Sequence, residues 1–158
     1  MYNETGGLVT TTVRFQSRTM DTASLLLSIR LSADADCANI ERAINELNDA
    51  SWKYIKEQTP VKGLRDTSEI DTGCEGVIEQ YLPQIQEALK FPGLKSDELS
   101  LFLGANARSK KGELSLMWQL IPNYEARAKS VAALFRKYGA VSVTASALGD
   151  AGIQELGV

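Results

Sequence analysis

Histidine is absent from the chain, and cysteine occurs only twice. The first absence removes Ser-His-Asp and Cys-His catalysis, imidazole metal ligation and histidine-based pH switching together. Carboxylates, lysines, tyrosines and two thiols are what remain for chemistry. Those thiols, Cys37 and Cys74, form no CxxC pair. Two reduced, buried cysteines are the expected state. No apolar run approaches the roughly 20 residues that span a bilayer, and Leu25-Leu26-Leu27 is soon interrupted by Ser28 and Arg30. The first residues, Met1 to Gly7, lack the basic start and continuous apolar core of a signal peptide. The expected location is the cytoplasm, with no membrane association. A P-loop, a GxGxxG turn, a GxSxG elbow and a zinc-spaced cysteine set are missing as well. No cofactor or metal is expected, no catalytic residue is assigned, and a non-enzymatic role is the expectation.

What is present is the pattern of an ordinary globule. A chain of 158 residues is long enough for one domain with its own core. Residues 1–20 read as an edge strand or a leader, residues 21–150 as a single α+β domain, and residues 151–158 as a C-terminal tail. Leu25, Leu27, Ile29 and Leu31 alternate as a strand. Asp34 or Asp36 then caps a helix with the inner stripe Ile40, Ala43, Ile44 and Leu47, ending near Asn48-Asp49. Trp52, Tyr54 and Ile55 mark a second strand, and residues 60–73 a long polar loop.

A second helix is predicted from about Glu75 to Lys90. Its Pro83 predicts a kink or two short helices, since an interior proline costs about 3 kcal/mol. Leu99, Leu101, Leu103 and Ala105 then predict a strand, with Asn106 to Gly112 as a hairpin loop. Leu114, Leu116, Trp118 and Leu120 supply the partner strand. Pro122 stops it, Asn123 is the N-cap candidate of the next helix, and Tyr124, Ala128, Val131, Phe135 and Tyr138 form its apolar stripe. Gly139 ends that helix, and Val141, Val143 and Ala145 resume the period of two. Trp52, Phe102 and Trp118 are read as core residues of alternating strands. The sum is an α+β two-layer sandwich, with helices packed on a mainly antiparallel sheet in a ferredoxin-like or related arrangement.

Charge is uneven along the chain. Between residues 66 and 89 stand Asp66, Glu69, Asp71, Glu75, Glu79 and Glu87, with no lysine or arginine. Such a block suits a solvated acidic loop or a docking surface for a basic partner. Its spacing lacks the alternating ligands and glycine turn of a calcium loop. Asp71-Thr72-Gly73 spells the signature of aspartic proteases, but the polar Ser68-Glu69 precede it where a buried strand is needed. It is read as a turn before the next helix. Arg108, Lys110 and Lys111, with Arg127, Lys129, Arg136 and Lys137, offer positive charge. The hairpin tip lacks interleaved aromatics, and the net charge of −3 argues against nucleic-acid binding.

Several of these segments together resemble a bacterial family of small α+β proteins known as domain of unknown function 4279. The resemblance is carried by Leu26-Leu27-Ser28-Ile29-Arg30, the Asp-started helix and the Leu82–Leu89 helix. The Leu99–Leu103 strand, the run Phe135-Arg136-Lys137-Tyr138-Gly139-Ala140 and the closing strand continue it. It implies a cytoplasmic bacterial protein of immunity type, without a known active site. The leading expectation is a non-enzymatic protein-binding module that neutralises a basic partner through Asp66, Glu69, Asp71, Glu75 and Glu79. The alternative is a small-molecule-binding regulatory domain using a crevice between sheet and helices. A homo-oligomer is compatible with both.

Overall fold

Ala23, Leu25, Leu27 and Ile29 alternate with more polar neighbours, and their strand, β1 (Thr22–Arg30), lies in the middle of the sheet. The computed structural model describes residues 22–58 and 74–158. After β1 come α1 (Cys37–Gln58), α2 (Glu75–Leu89) and a single turn of helix, α3 (Ser96–Leu99), which runs into a 3₁₀ turn (Ser100–Phe102). Then follow β2 (Asn106–Lys110), β3 (Glu113–Pro122), α4 (Tyr124–Lys137), β4 (Ser142–Gly149) and β5 (Gly152–Leu156). The strand order is β2-β3-β1-β4-β5, and every neighbouring pair is antiparallel. Inserting β3 between β1 and β2 is the split βαβ arrangement of ferredoxin-like domains. Here α2 and α3 enlarge the first crossover, and β5 extends one edge.

Register puts one apolar layer on one face. Leu27 stands opposite Leu116 on one side and Ala145 on the other, and Leu25 stands opposite Trp118 and Ala147. All six are buried. Helices α1 and α4 cover this face, and α2 packs against α1. Each fully buried Leu or Ile contributes about 1.5–3 kcal/mol through water released from its surface. The aromatic rings tie the helical layer together: Phe91 stacks on Tyr138 with centroids 4.1 Å apart and meets Phe135 edge-on at 5.5 Å. Phe102 meets the same Phe135 edge-on at 5.9 Å. The other face of the sheet presents Ser28, Ser115 and Thr144 beside the partly exposed Leu26.

Asp36 caps α1, its carboxylate accepting the Asn39 N–H at 3.0 Å. The helix does not stop at Asn48-Asp49. Leu47, Ser51 and Ile55 follow one another at steps of four and are all buried, so the apolar stripe carries α1 on to Gln58. The strand expected at Trp52–Ile55 is therefore the last third of a helix. Helix α2 is one element across Pro83; the proline is exposed, and Ile78, Ile85 and Leu89 hold the buried side on both flanks. Cys37 and Cys74 are both buried and unbonded to each other, as expected.

The strand expected over Leu99–Ala105 is absent. Glu98 accepts the Lys95 N–H at 2.9 Å and starts a helical turn instead, and Leu99, Phe102 and Leu103 bury at helical spacing. Gly104, with φ of +84°, then turns the chain into β2. That strand occupies the stretch read as a hairpin loop. The actual loop is two residues, Lys111 and Gly112, both at positive φ, the combination that matches strand twist in a tight hairpin. The closing residues read as a tail contain β5, paired with β4. The edge strand or leader expected over residues 1–20 and the loop expected at 60–73 lie outside the described residues.

Leu120 is the sharpest departure. Between the pairs Leu25–Trp118 and Ala23–Ile121, β1 has one residue and β3 has two, which makes a β-bulge. Leu120 takes φ of +46°, and its N–H donates to Ser24 Oγ at 3.4 Å. The alternation slips by one, so Leu120 is 66% exposed and Ile121 takes the buried side. A left-handed backbone costs an L-residue roughly 1–2 kcal/mol. Replacing Leu120 with Gly is predicted to raise unfolding free energy by about 1 kcal/mol in denaturant titration. Leu116→Gly, in the same strand but buried at ordinary dihedrals, is predicted to lower it by at least about 3 kcal/mol. Equal losses at both sites would mean that the bulge carries no strain.

Candidate functional site

The segment Leu101–Ala105 belongs to no strand or α-helix, so its buried backbone groups need other partners. Three elements supply them. From α1, Asn48 Nδ2 donates to the Ala105 carbonyl at 2.5 Å, while its Oδ1 accepts the Gly104 N–H at 2.8 Å. From β3, Trp118 Nε1 donates to the Leu103 carbonyl at 3.2 Å. From α4, the Arg127 guanidinium donates to the Leu101 carbonyl at 2.7 Å and lies 5.9 Å from the Trp118 ring centroid. The same polar stripe of α1 reaches along the edge of β2. Asn45 Oδ1 accepts the Ala107 N–H at 3.5 Å, and Glu41 accepts the Ser109 hydroxyl at 2.8 Å. Along the edge strand β2, Asn45 thus satisfies one backbone N–H and Glu41 holds a side-chain hydroxyl, while Asn48 binds the chain just before it.

Where this segment, the second half of α1, the end of β3 and the start of α4 meet, they enclose a cleft of about 650 Å³. That volume is in the range of small-molecule sites, roughly 300–1,000 Å³. The bulge shapes one wall, since it brings both Gln119 and Ile121 to the cleft. Trp52 forms another part of the wall and is 45% exposed, not a core residue as its expected strand implied. Asp49 on α1 and Arg127 on α4 are its charged side chains. Ser51 also lies in the wall. It is 2% exposed, and its Oγ is the buried side-chain polar atom that has no hydrogen-bond partner among the described residues. Leaving a buried hydroxyl unmatched costs about 1–3 kcal/mol, and this Oγ has no surface open to solvent.

The acidic residues proposed from sequence divide. Glu75 opens α2 and is exposed; Glu79 is exposed one turn on and accepts a hydrogen bond from the Ser96 hydroxyl. They share one helix face and stand away from the cleft lining. Asp66, Glu69 and Asp71 lie outside the described residues, as does Asp71-Thr72-Gly73. Among the described residues no group of three His, Cys, Asp or Glu side chains could hold a metal ion, and no helix is long and apolar enough to cross a membrane. Arg108 and Lys110, read as a hairpin tip, are exposed on edge strand β2.

Fold and cleft together define a two-layer α+β domain with a ligand-sized recess at the end of its sheet where β3 finishes and β2 begins. Comparison with protein-family models, with curated proteins and with solved structures yields no match.

Sequence reasoning did not reach the residues that build this site. Glu41, Asn45 and Asn48 recur at steps of four and three on a predicted helix, a legible polar stripe. Ser51 carries no such signal, because nothing local marks a serine as buried. Asn48→Leu keeps the size of the side chain and removes both hydrogen bonds. It is predicted to cost about 1–3 kcal/mol of stability and to speed amide exchange at Gly104 beyond the global change. Unchanged protection at Gly104 would show that Asn48 does not hold the segment.

Proposed function

We propose that this domain is a small-molecule-binding module whose ligand occupies the cleft between α1, α4 and the end of β3. The observation that carries the reading is a recess of about 650 Å³ walled by the half-exposed Trp52, an apolar surface and the charged Asp49 and Arg127. Trp52 supports it, since a half-exposed indole offers a flat apolar surface for a ligand at low entropic cost. The walls support it too. Leu101–Ala105 is tied to three elements, so the recess is largely preformed and binding needs little reordering.

A thermal-shift screen of fragment-sized compounds tests this reading. A ligand present at 100 times its dissociation constant stabilises by about 2.7 kcal/mol. Ala126, exposed and in the cleft lining, is the position for a blocking variant. Ala126→Trp is predicted to fold normally and to lose the shift. Fragments that stabilise both proteins equally, or none that stabilises the native chain, would contradict the reading.

The exposed pair Glu75 and Glu79 favours a second reading, a protein-binding module that meets a basic partner. Carboxylates at that surface would steer association. Reversing Asp66, Glu69, Asp71, Glu75 and Glu79 in groups of three is predicted to slow capture of such a partner and flatten its salt dependence. Unchanged capture would remove this face.

A further inference from the structure

The two edges of the sheet differ. Along β2 the polar stripe of α1 lies against the strand, Asn45 taking the Ala107 N–H and Glu41 the Ser109 hydroxyl, and the exposed Arg108 and Lys110 add charge. A covering helix and basic side chains are means by which an edge strand is kept from pairing with another chain. Strand β5, Gly152-Ile153-Gln154-Glu155-Leu156, has neither. It contains no lysine, arginine or proline, and its first four residues are exposed. Among the described residues its backbone makes no hydrogen bond beyond the ladder to β4.

Hairpin geometry says which of its groups are free. The loop between β4 and β5 is two residues, Asp150 and Ala151, closed by the pair Gly149–Gly152. A two-residue loop closes on a hydrogen-bonded pair, and bonded and non-bonded pairs then alternate along an antiparallel ladder. Gln154 therefore bonds to Ala147, whereas Ile153 and Glu155 stand in non-bonded pairs and turn their N–H and C=O groups away from β4. Their side chains share the sheet face of Leu26, Leu148 and Ser146, away from the helices. Leu148 is 52% exposed and Ile153 77%, so this edge carries open apolar surface beside its free backbone groups.

We propose that β5 is where two copies of this chain pair, antiparallel about a two-fold axis through Gln154. This register is the one that engages both outward-facing residues of each copy. Ile153 exchanges its backbone bonds with Glu155 of the second copy, and the two-fold repeats the exchange. Gln154 meets its counterpart in the closer, non-bonded position on the other face, where two carboxamides bond each other. Glu155, the only charged residue of the strand, stands across from Ile153, so no like charges are opposed. Centring on Glu155 would set two carboxylates against each other, and centring on Ile153 would leave Glu155 without its bonds. A five-residue edge buries less than the roughly 1,200 Å² of standard stable interfaces, so the dimer is reversible. Pairing consumes β5, and β2 is guarded, so assembly stops at two copies. None of the β5 residues lines the cleft, and the two readings stand or fall separately.

Sedimentation velocity of the full chain between about 10 μM and 1 mM tests this, with amide exchange as a second readout. The expected result is a monomer–dimer equilibrium across that range without larger species. The Ile153 and Glu155 amides are expected to slow at least about fivefold from the dilute to the concentrated end, while Gln154 is protected at both. Glu155→Pro removes an outward N–H and no bond to β4, and is expected to leave a folded monomer. Should it fail to fold, Ile153→Lys charges the edge and is expected to weaken pairing about tenfold. A chain that stays monomeric throughout, pairing unchanged in both variants, or growth beyond the dimer would overturn the proposal. Protection of the Ile153 and Glu155 amides in the monomer would overturn it too, because another part of the same chain would then hold the edge.

Discussion

The segment Leu101–Ala105, the end of a 3₁₀ turn and the irregular stretch after it, is the piece on which the rest of this molecule turns. Such a segment inside a two-layer domain is expensive, because local turns satisfy only some of its groups, the Leu103 and Ala105 amides, and no sheet ladder takes the rest. Here Asn48, Trp118 and Arg127 each satisfy part of it, one from the long helix, one from the sheet and one from the last helix. The segment in turn fixes the distances between those three elements. It also delivers the chain into β2, along which Asn45 of the same helix satisfies one backbone N–H and Glu41 holds a side-chain hydroxyl. Without these side-chain bonds the first crossover would have no defined end.

A second irregularity lines the same cleft. The bulge at Gln119–Leu120 and the left-handed Asn123 put two non-glycine residues at positive φ within four positions. Bulges re-aim side chains, and strained backbone tends to persist where the surroundings or function require it. In this domain the outcome is a recess. Gln119 and Ile121 turn toward it, Leu120 turns away, and α4 begins at its rim. The two irregular stretches both line the space where the regular layers leave off. The proposed binding role rests on the shape and lining of that space, independent of any catalytic group.

The central and closing strands were legible because period two and burial agree: Leu25, Leu27, Ile29, Val143 and Ala145 all lie where alternation puts them. The last helix was legible for the same reason, at period 3.6. Two readings failed where period is ambiguous. Leu99, Phe102 and Leu103 fit a strand or a helical turn equally well over so short a run, and tertiary contacts with Phe135 and Asn48 decided for the turn. Trp52 and Ile55 looked like a strand because Ser51, a buried helix position, is polar and hides the stripe. The bulge had no sequence signal, since Leu120 is neither glycine nor asparagine. The site inherits these failures: its walls are the misread segments, Leu101–Ala105 and the second half of α1 with Trp52. The acidic face was legible as charge, but charge alone says nothing of shape.

The central claim is that the recess beside Trp52 is where this domain meets its ligand. Fluorine NMR of the chain labelled with 5-fluorotryptophan tests it most directly, using a native small-molecule extract. Its two tryptophans report from the cleft wall and from the core. The account predicts a saturable change at the Trp52 fluorine with the Trp118 signal unmoved, and its disappearance in Ala126→Trp. An extract that leaves Trp52 unchanged, while a protein partner perturbs the α2 face around Glu75 and Glu79, would contradict it.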